Sequence, residues 1–157
     1  MERERGSSRD REGLPELLEI NRKVVEAFNT GGLERAAHYF DEDVEVYDPD
    51  MPGGTRLRGR DVLLRTFGEM VDAFDTMEVL EIEMYAVGER VVSLIRTVGK
   101  GEGIRGEIEL ELHDAHVTTF RDGKAVYWRI YHDPREALSD VGLDPDDPGE
   151  PYRFEPG

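Results

Sequence analysis

The first part of the chain alternates between apolar and polar residues with the period of an α-helix. Apolar positions recur at intervals of three and four from Leu14 to Phe28, which predicts a helix that ends at the glycine pair Gly31–Gly32. A short second helix over 33–40 and a third over 59–74 show the same period. The first two are joined so closely that they should form a helical hairpin.

The second half of the chain changes to the strict alternation of β-strands that have one buried face. Gly88–Glu89 and Asp122–Gly123 are typical hairpin turns, so the strands on either side of each should run antiparallel. Asp133 is a helix N-cap residue and begins a last helix. The strands are predicted over about 44–48, 77–87, 90–98, 107–120 and 124–132.

Helices that come first and strands that come later indicate the α+β class. We expect a curved antiparallel sheet, shaped like a cone and packed on the N-terminal helical hairpin and the third helix, with one pocket inside. The domain should span 14–143. The charged segment 1–13 and the acidic, proline-rich tail 144–157 are expected to be disordered.

The charge balance limits the partners. The chain has 36 acidic and 20 basic residues and a net charge of −16, so it should repel nucleic acid and anionic membrane surfaces. It has no cysteine, which excludes disulfides and thiolate chemistry. No apolar stretch of the kind found in secretory signals occurs near Met1, and we expect a cytoplasmic location.

One carboxylate interrupts an apolar face. Asp48 continues the inward alternation of Val44 and Val46 and ends its strand. Desolvation there would raise the pKa of the Asp48 carboxyl and make it a usable proton acceptor. The alternative is that Asp48, which precedes Pro49, only begins a turn.

Two later strands carry further polar residues at inward positions. Asp114 and His116 continue the apolar face that Ile108 begins, and His116 is either a functional donor or a core histidine satisfied by one neighbour. Trp128 and His132 share the inward face of the last strand. The indole of Trp128 is either a platform for a ligand or core filling.

Two tempting motifs do not fit their usual chemistry. The G-x-G-x-x-G match at 101–106 joins two antiparallel strands, whereas a dinucleotide site needs it to open a helix. His113 and His116 lie three residues apart on a strand and therefore point to opposite faces. We expect no metal site and no cofactor.

The opposite face of the last strand carries Tyr127, Arg129 and Tyr131. These residue types are enriched in protein interfaces. An open sheet face that presents them predicts a homodimer.

Four short segments carry a family resemblance: 25–32, 40–44 leading to Asp48–Pro49, 59–61 and 120–124. With them the chain resembles SnoaL-like proteins of the nuclear-transport-factor-2-like superfamily, over about 17–143. The resemblance implies a cone-shaped α+β barrel, commonly a dimer, with one hydrophobic cavity.

Ketosteroid isomerase, polyketide cyclases and dehydratases belong to this superfamily. The Asp-Pro step that holds the general base of ketosteroid isomerase matches Asp48–Pro49. The same alignment places His116 at the protonated aspartate of its oxyanion hole and Val24 at its tyrosine. In polyketide cyclases the acid also lies on this late strand, so His116, paired with Asp114, would be a substitute for it.

The resemblance and the residues together suggest a protein that binds a small apolar or carbonyl-containing molecule. Asp48 would abstract a proton next to the carbonyl and His116 would donate to the developing enolate, as in isomerisation, cyclisation or dehydration. The alternatives are a ligand-binding module without chemistry and a dimeric interaction domain whose interior is filled. The predicted ligand-binding residues are Val24, Phe28, Phe67, Asp114, Trp128 and His132.

Overall fold

The computed structural model describes residues 2–50, 56–103 and 106–156, with side chains from Glu16 onward. Within these ranges the chain forms three α-helices, one short 3-10 helix and seven strands. In chain order they are α1 (Glu2–Ala36), the 3-10 helix (Ala37–Tyr39), β1 (Phe40–Tyr47), β2 (Arg56–Arg58), α2 (Arg60–Asp72), β3 (Thr76–Val87), β4 (Arg90–Gly103), β5 (Gly106–Arg121), β6 (Lys124–Tyr131), α3 (Pro134–Asp140) and β7 (Tyr152–Phe154).

The seven strands form one sheet in the order β2-β1-β6-β5-β4-β3-β7. The α+β prediction is confirmed, but the sheet is mixed because β1 runs parallel to β6, while the other described pairs are antiparallel. Tight hairpin turns force neighbouring strands to run antiparallel. No hairpin links β1 to β6, which lies far along the chain, so the turn pattern did not reveal their parallel pairing.

Both predicted hairpin turns are present. Gly88 has a φ of 62°, and Asp122 and Gly123 have φ values of 53° and 77°. Positive φ at both central residues is the geometry of a type I′ turn, which matches the right-handed twist of the strands. The glycine-rich segment 101–106 lies at the antiparallel β4–β5 junction, where Gly103 pairs with Gly106. Ile104 and Arg105 lie outside the described residues.

The helices and chain ends differ from expectation in extent. Gly32, with a φ of 72°, interrupts α1 at the predicted glycine pair. The helical backbone extends back to Glu2, through the segment expected to be disordered, because its many glutamates and arginines are good helix formers. The C-terminal tail contains β7, which pairs with β3. No helix in the described part of the chain combines the length and the apolarity needed to cross a membrane.

The main core lies between α1, α2 and one face of the sheet, which we call the inner face. Val44, Leu63 and Phe67 are almost completely buried there. A smaller cluster lies under α3 on the opposite, outer face, where Ala137 and Leu138 pack on the sheet. The inner face thus has two helices over it, as the predicted cone requires.

Asn29 ties α1 to β3. Its amide nitrogen donates to the Val79 carbonyl at 2.9 Å, and its amide oxygen accepts from the Val79 N–H at 2.9 Å. A side-chain amide that hydrogen-bonds both the N–H and the C=O of one residue fixes the position of the helix along the strand. This pair of bonds holds α1 over the inner face.

Replacement of Asn29 by alanine tests this anchor. Because it leaves both Val79 backbone groups without a partner, the free energy of unfolding should fall by about 1–3 kcal/mol, measured by urea denaturation. The control is Glu34→Ala on the exposed side of the same helix, which should change stability by less than about 0.5 kcal/mol. Equal losses in the two variants would contradict the anchoring role.

Candidate functional site

The parallel pairing of β1 with β6 determines where the predicted base lies. Val46 pairs with Trp128, and alternate residues of a strand share a face. Asp48, two residues beyond Val46, therefore lies on the inner face, as predicted, and is only 5% exposed. His132, which follows β6, lies at the same end of the sheet.

His132 lies between two carboxylates. Its Nε2 atom is 3.2 Å and 3.3 Å from the two carboxylate oxygens of Asp48. Its Nδ1 atom is 3.1 Å from Oδ1 of Asp114, on the neighbouring strand β5. We call Asp48, His132 and Asp114 the carboxylate–imidazole triad.

The triad favours the charged form of His132. Partial burial opposes that form, but the charge of Asp114 and the hydrogen bonds with Asp48 and Asp114 outweigh it, so the pKa of His132 is raised. A protonated imidazole donates from both ring nitrogens and can serve both carboxylates at once. His132 thereby fixes the orientation of the Asp48 carboxylate.

The two interpretations of Asp48 prove compatible. Its Oδ1 atom accepts a 2.9 Å hydrogen bond from the Asp50 N–H, which is the contact of an aspartate that begins a turn. The same carboxylate faces inward and contacts His132. The segment 51–55, expected at the mouth of the pocket, lies outside the described residues.

His116 lies on the inner face beside Trp128. The two rings meet edge to face with centroids 5.1 Å apart. Desolvation lowers the pKa of His116 to about 4, with the attraction of Asp48 opposing the shift and the repulsion of His132 adding to it. His116 is therefore neutral near pH 7.

The ring nitrogens of His116 have no hydrogen-bond partner among the residues that the structure describes. Part of the His116 side chain remains accessible to solvent, although desolvation is the main cause of its lowered pKa. A core histidine satisfied by one neighbour would show such a partner. The described part of the chain instead leaves the donor and the acceptor of the neutral His116 ring without a hydrogen-bond partner.

The predicted aromatic lining residues come together around Trp128. Its indole lies 5.4 Å from the ring of Phe67 and 5.8 Å from that of Phe40. Val24 and Phe28 of α1 are partly buried against the same cluster. Their roles in binding a ligand remain predictions.

Sequence reasoning named all three triad residues but misjudged their partners. Asp114 was paired with His116, whereas the β5–β6 register brings it to His132. Asp50 was not singled out, although its Oδ2 atom lies 3.9 Å from His132 Nε2. An exposed aspartate in a turn carries no sequence signal that separates it from other surface acids.

Tyr131 lies on the outer face, as the sequence predicts, but it is covered and not open to solvent. It is 7% exposed, packs under α3 and donates a 2.6 Å hydrogen bond to Asp140. The alternation of residues along β6 correctly predicted the face on which Tyr131 lies. It could not predict that α3 packs over that face. Tyr127 and Arg129 remain half-buried on it.

A surface cavity of about 720 Å³ lies away from the triad. It is bounded by the second half of α1, the 3-10 helix and β3, with Lys23, Asn29 and Glu78 among its lining residues, and it includes none of the predicted site residues. It is a groove on the edge of the molecule, whereas His116 and His132, whose pKa values are shifted, lie on the inner face. The internal pocket remains a prediction.

Comparison with known families identifies the chain. Residues 21–128 match the SnoaL-like domain. The protein belongs to this family. No curated protein matches it.

Solved structures share the SnoaL-like chain's fold at low sequence identity. An NTF2-like protein of unknown function from Burkholderia pseudomallei is 22% identical, with a TM-score of 0.63, and the match covers 82% of this chain and 98% of that one. TerC, co-crystallised with polyporic acid, is 22% identical, with a TM-score of 0.63 and coverage of 80% and 97%. A candidate polyketide cyclase from Xanthomonas campestris is 21% identical, with a TM-score of 0.64 and coverage of 82% and 98%. At these identities the likeness shows the fold.

The titration of His116 tests the electrostatics of the inner face. Histidine NMR signals should give a pKa of about 4 for His116. In Asp48→Asn the pKa of His116 should fall further, because the carboxylate that stabilises the imidazolium has been removed. A pKa of His116 near the ordinary value of about 6.5 would show that the ring is solvated.

Proposed function

We propose that this SnoaL-like protein binds a small, largely apolar carbonyl compound on the inner face and removes a proton next to the carbonyl. One observation carries the proposal: that face holds a buried carboxylate, Asp48, and a neutral imidazole, His116, which packs against the indole of Trp128 and has no hydrogen-bond partner among the described residues. A base and a hydrogen-bond donor in a desolvated place are the two groups that enolisation needs.

Each inner-face residue has one role in the proposed proton removal. Asp48 takes the proton from the carbon next to the carbonyl, and the C–H electron pair moves into a new C=C bond while the carbonyl oxygen becomes an enolate. An N–H of neutral His116 donates to that oxygen, where negative charge develops. His132 orients Asp48, and Asp114 orients His132.

The fate of the enolate decides the overall reaction. Return of the proton from Asp48 to a different carbon gives isomerisation, attack of the enolate on a second carbonyl gives cyclisation, and loss of a neighbouring hydroxyl gives dehydration. All three begin with the same step. Among the structural neighbours, the candidate polyketide cyclase and TerC with its polyporic acid support an organic molecule as the ligand class.

Replacement of Asp48 by asparagine tests the proposed base. Aryl ketones with an exchangeable hydrogen next to the carbonyl are incubated with the protein in D2O, and deuterium uptake is followed by NMR. Loss of the proposed base should slow uptake by about 100-fold or more. Trp128 is the only tryptophan, so its fluorescence reports binding separately. Ketone binding should change by only a few fold.

Two controls make the result decisive. His116→Phe keeps an aromatic ring against Trp128 but removes the donor, and should also slow uptake, while Glu34→Gln on the exposed side of α1 should have no effect. Uptake that survives in Asp48→Asn would exclude Asp48 as the base. Quenching of Trp128 without any uptake by the wild-type protein would favour a ligand-binding module without chemistry.

We also propose that the protein forms a homodimer through the outer face of β2, β1 and β6. The guanidinium of Arg129 lies 4.6 Å from the ring centroid of Tyr47 and 4.5 Å from that of Tyr131, and Arg56 lies 4.3 Å from Tyr47. The Nε atom of Arg129 is buried without a partner, and neither arginine has an ion pair within the described ranges. Arginine–tyrosine surfaces of this kind are typical of interfaces.

Substitution of Tyr127 tests the dimer. Light scattering after gel filtration should give the wild-type protein twice the 17.9 kDa chain mass. Tyr127→Glu should shift the mass to that of a monomer, because it buries a charge at the interface. The exposed Arg153→Glu, at the far edge of the sheet, controls for added negative charge and should remain dimeric. A wild-type monomer, or a dimer of Tyr127→Glu, would contradict this interface.

A further inference from the structure

We propose that Asp48, Asp50 and His132 form a binding site for one divalent metal ion. One ligand atom of each residue lies within 4.8 Å of the other two. Two carboxylate oxygens and one imidazole nitrogen are a donor set that first-row divalent metals such as Mn²⁺ and Zn²⁺ accept.

The local geometry suits a metal at the open end of the inner face. His132 Nε2 lies 3.2 Å from Oδ1 of Asp48 and 3.9 Å from Oδ2 of Asp50. One metal ion placed among these atoms could therefore contact all three side chains. Asp48 is buried, whereas the side chains of His132 and Asp50 are 45% and 68% exposed. The site therefore combines a fixed ligand with an accessible side, from which a metal ion and its remaining water ligands can enter.

Charge balance points to a divalent cation. Asp48, Asp50 and Asp114 surround the single imidazole of His132, and none of these carboxylates has a lysine or arginine partner in the described part of the chain. Even a positively charged imidazole leaves two negative charges uncompensated. A cation of charge +2 supplies more compensation than a proton, and the acidic chain raises its local concentration.

Asp114 provides an independent structural feature that points to a metal ligand. It lies on a different strand and does not reach the proposed metal position, but its Oδ1 atom is 3.1 Å from Nδ1 of His132. A metal ion replaces the proton on Nε2 of the charged His132 ring. Asp114 keeps the proton on Nδ1, so that Nε2 then serves as a lone-pair donor and the plane of the ring is fixed. Carboxylate–histidine–metal arrangements of this kind are the usual outer support of metal-bound histidines.

The metal site goes beyond the proposed enolisation and does not depend on it. A cation bound to Asp48 occupies the oxygen that would otherwise receive the substrate proton. Cation and proton therefore compete for the same carboxylate. Metal binding is measured without any substrate, so failure of one proposal leaves the other to be judged on its own result.

The test is a titration of the full chain with MnCl₂ and then with ZnCl₂, followed by calorimetry. We expect saturable binding of one ion per chain. Asp50→Asn, which removes an exposed ligand and leaves the fold intact, and Asp114→Asn, which removes the outer support, should each weaken binding by about tenfold or more. Asp43→Asn is the matched control: it removes the same charge at an exposed position in the middle of β1, five residues before Asp48, and should leave the affinity within about twofold.

NMR identifies the bound position. A substoichiometric amount of Mn²⁺ should broaden the ring signals of His132 before those of His38, which lies at the other end of β1. Absence of saturable binding with both metals would overturn the proposal. Equal weakening in Asp43→Asn and Asp50→Asn, or broadening of His38 as early as His132, would overturn it too, because it would show binding to the acidic surface in general.

Discussion

The parallel pairing of β1 with β6 is the constraint on which the candidate site depends. It brings the end of the first strand of the chain beside the end of the last long strand, so that Asp48 meets His132 across 84 positions of sequence. The neighbouring antiparallel register between β5 and β6 then adds Asp114 on the far side of the imidazole. The ends of β1 and β6 and the middle of β5 thus bring two carboxylates to one histidine.

Contact with carboxylates separates the two inner-face histidines, because burial lowers the pKa of both but, among the described residues, only His132 has hydrogen-bonded carboxylate partners that raise it. His116 lies deeper, against Trp128, and no carboxylate among the described residues is in hydrogen-bond contact with it, so burial lowers its pKa. His132 lies at the open end between Asp48 and Asp114, and its pKa is raised. Acid–base sites often hold neighbouring groups in different protonation states. Here His116 is neutral and can donate to an enolate, and His132 is charged and can orient Asp48.

Local sequence patterns were sufficient to predict which face of the sheet a residue occupies, but not which distant residue it contacts. The alternation of Val44, Val46 and Asp48 correctly placed the aspartate inward, and the turn sequence Asp122–Gly123 fixed the β5–β6 hairpin. Long-range facts carried no such signal. The pairing of Asp114 with His132, the burial of Tyr131 under α3 and the strand β7 all depend on how distant segments pack, which periodicity does not encode.

The proposed chemistry requires a carbonyl ligand to bind on the inner face, between Asp48 and His116. The most direct measurement is a crystal structure of the protein with a naphthol, whose oxygen and flat rings resemble an enolate. The naphthol oxygen should lie at about 3 Å from a ring nitrogen of His116, with the rings against Trp128. A naphthol bound only in the surface groove between α1 and β3, with the inner face closed, would contradict the proposed chemistry.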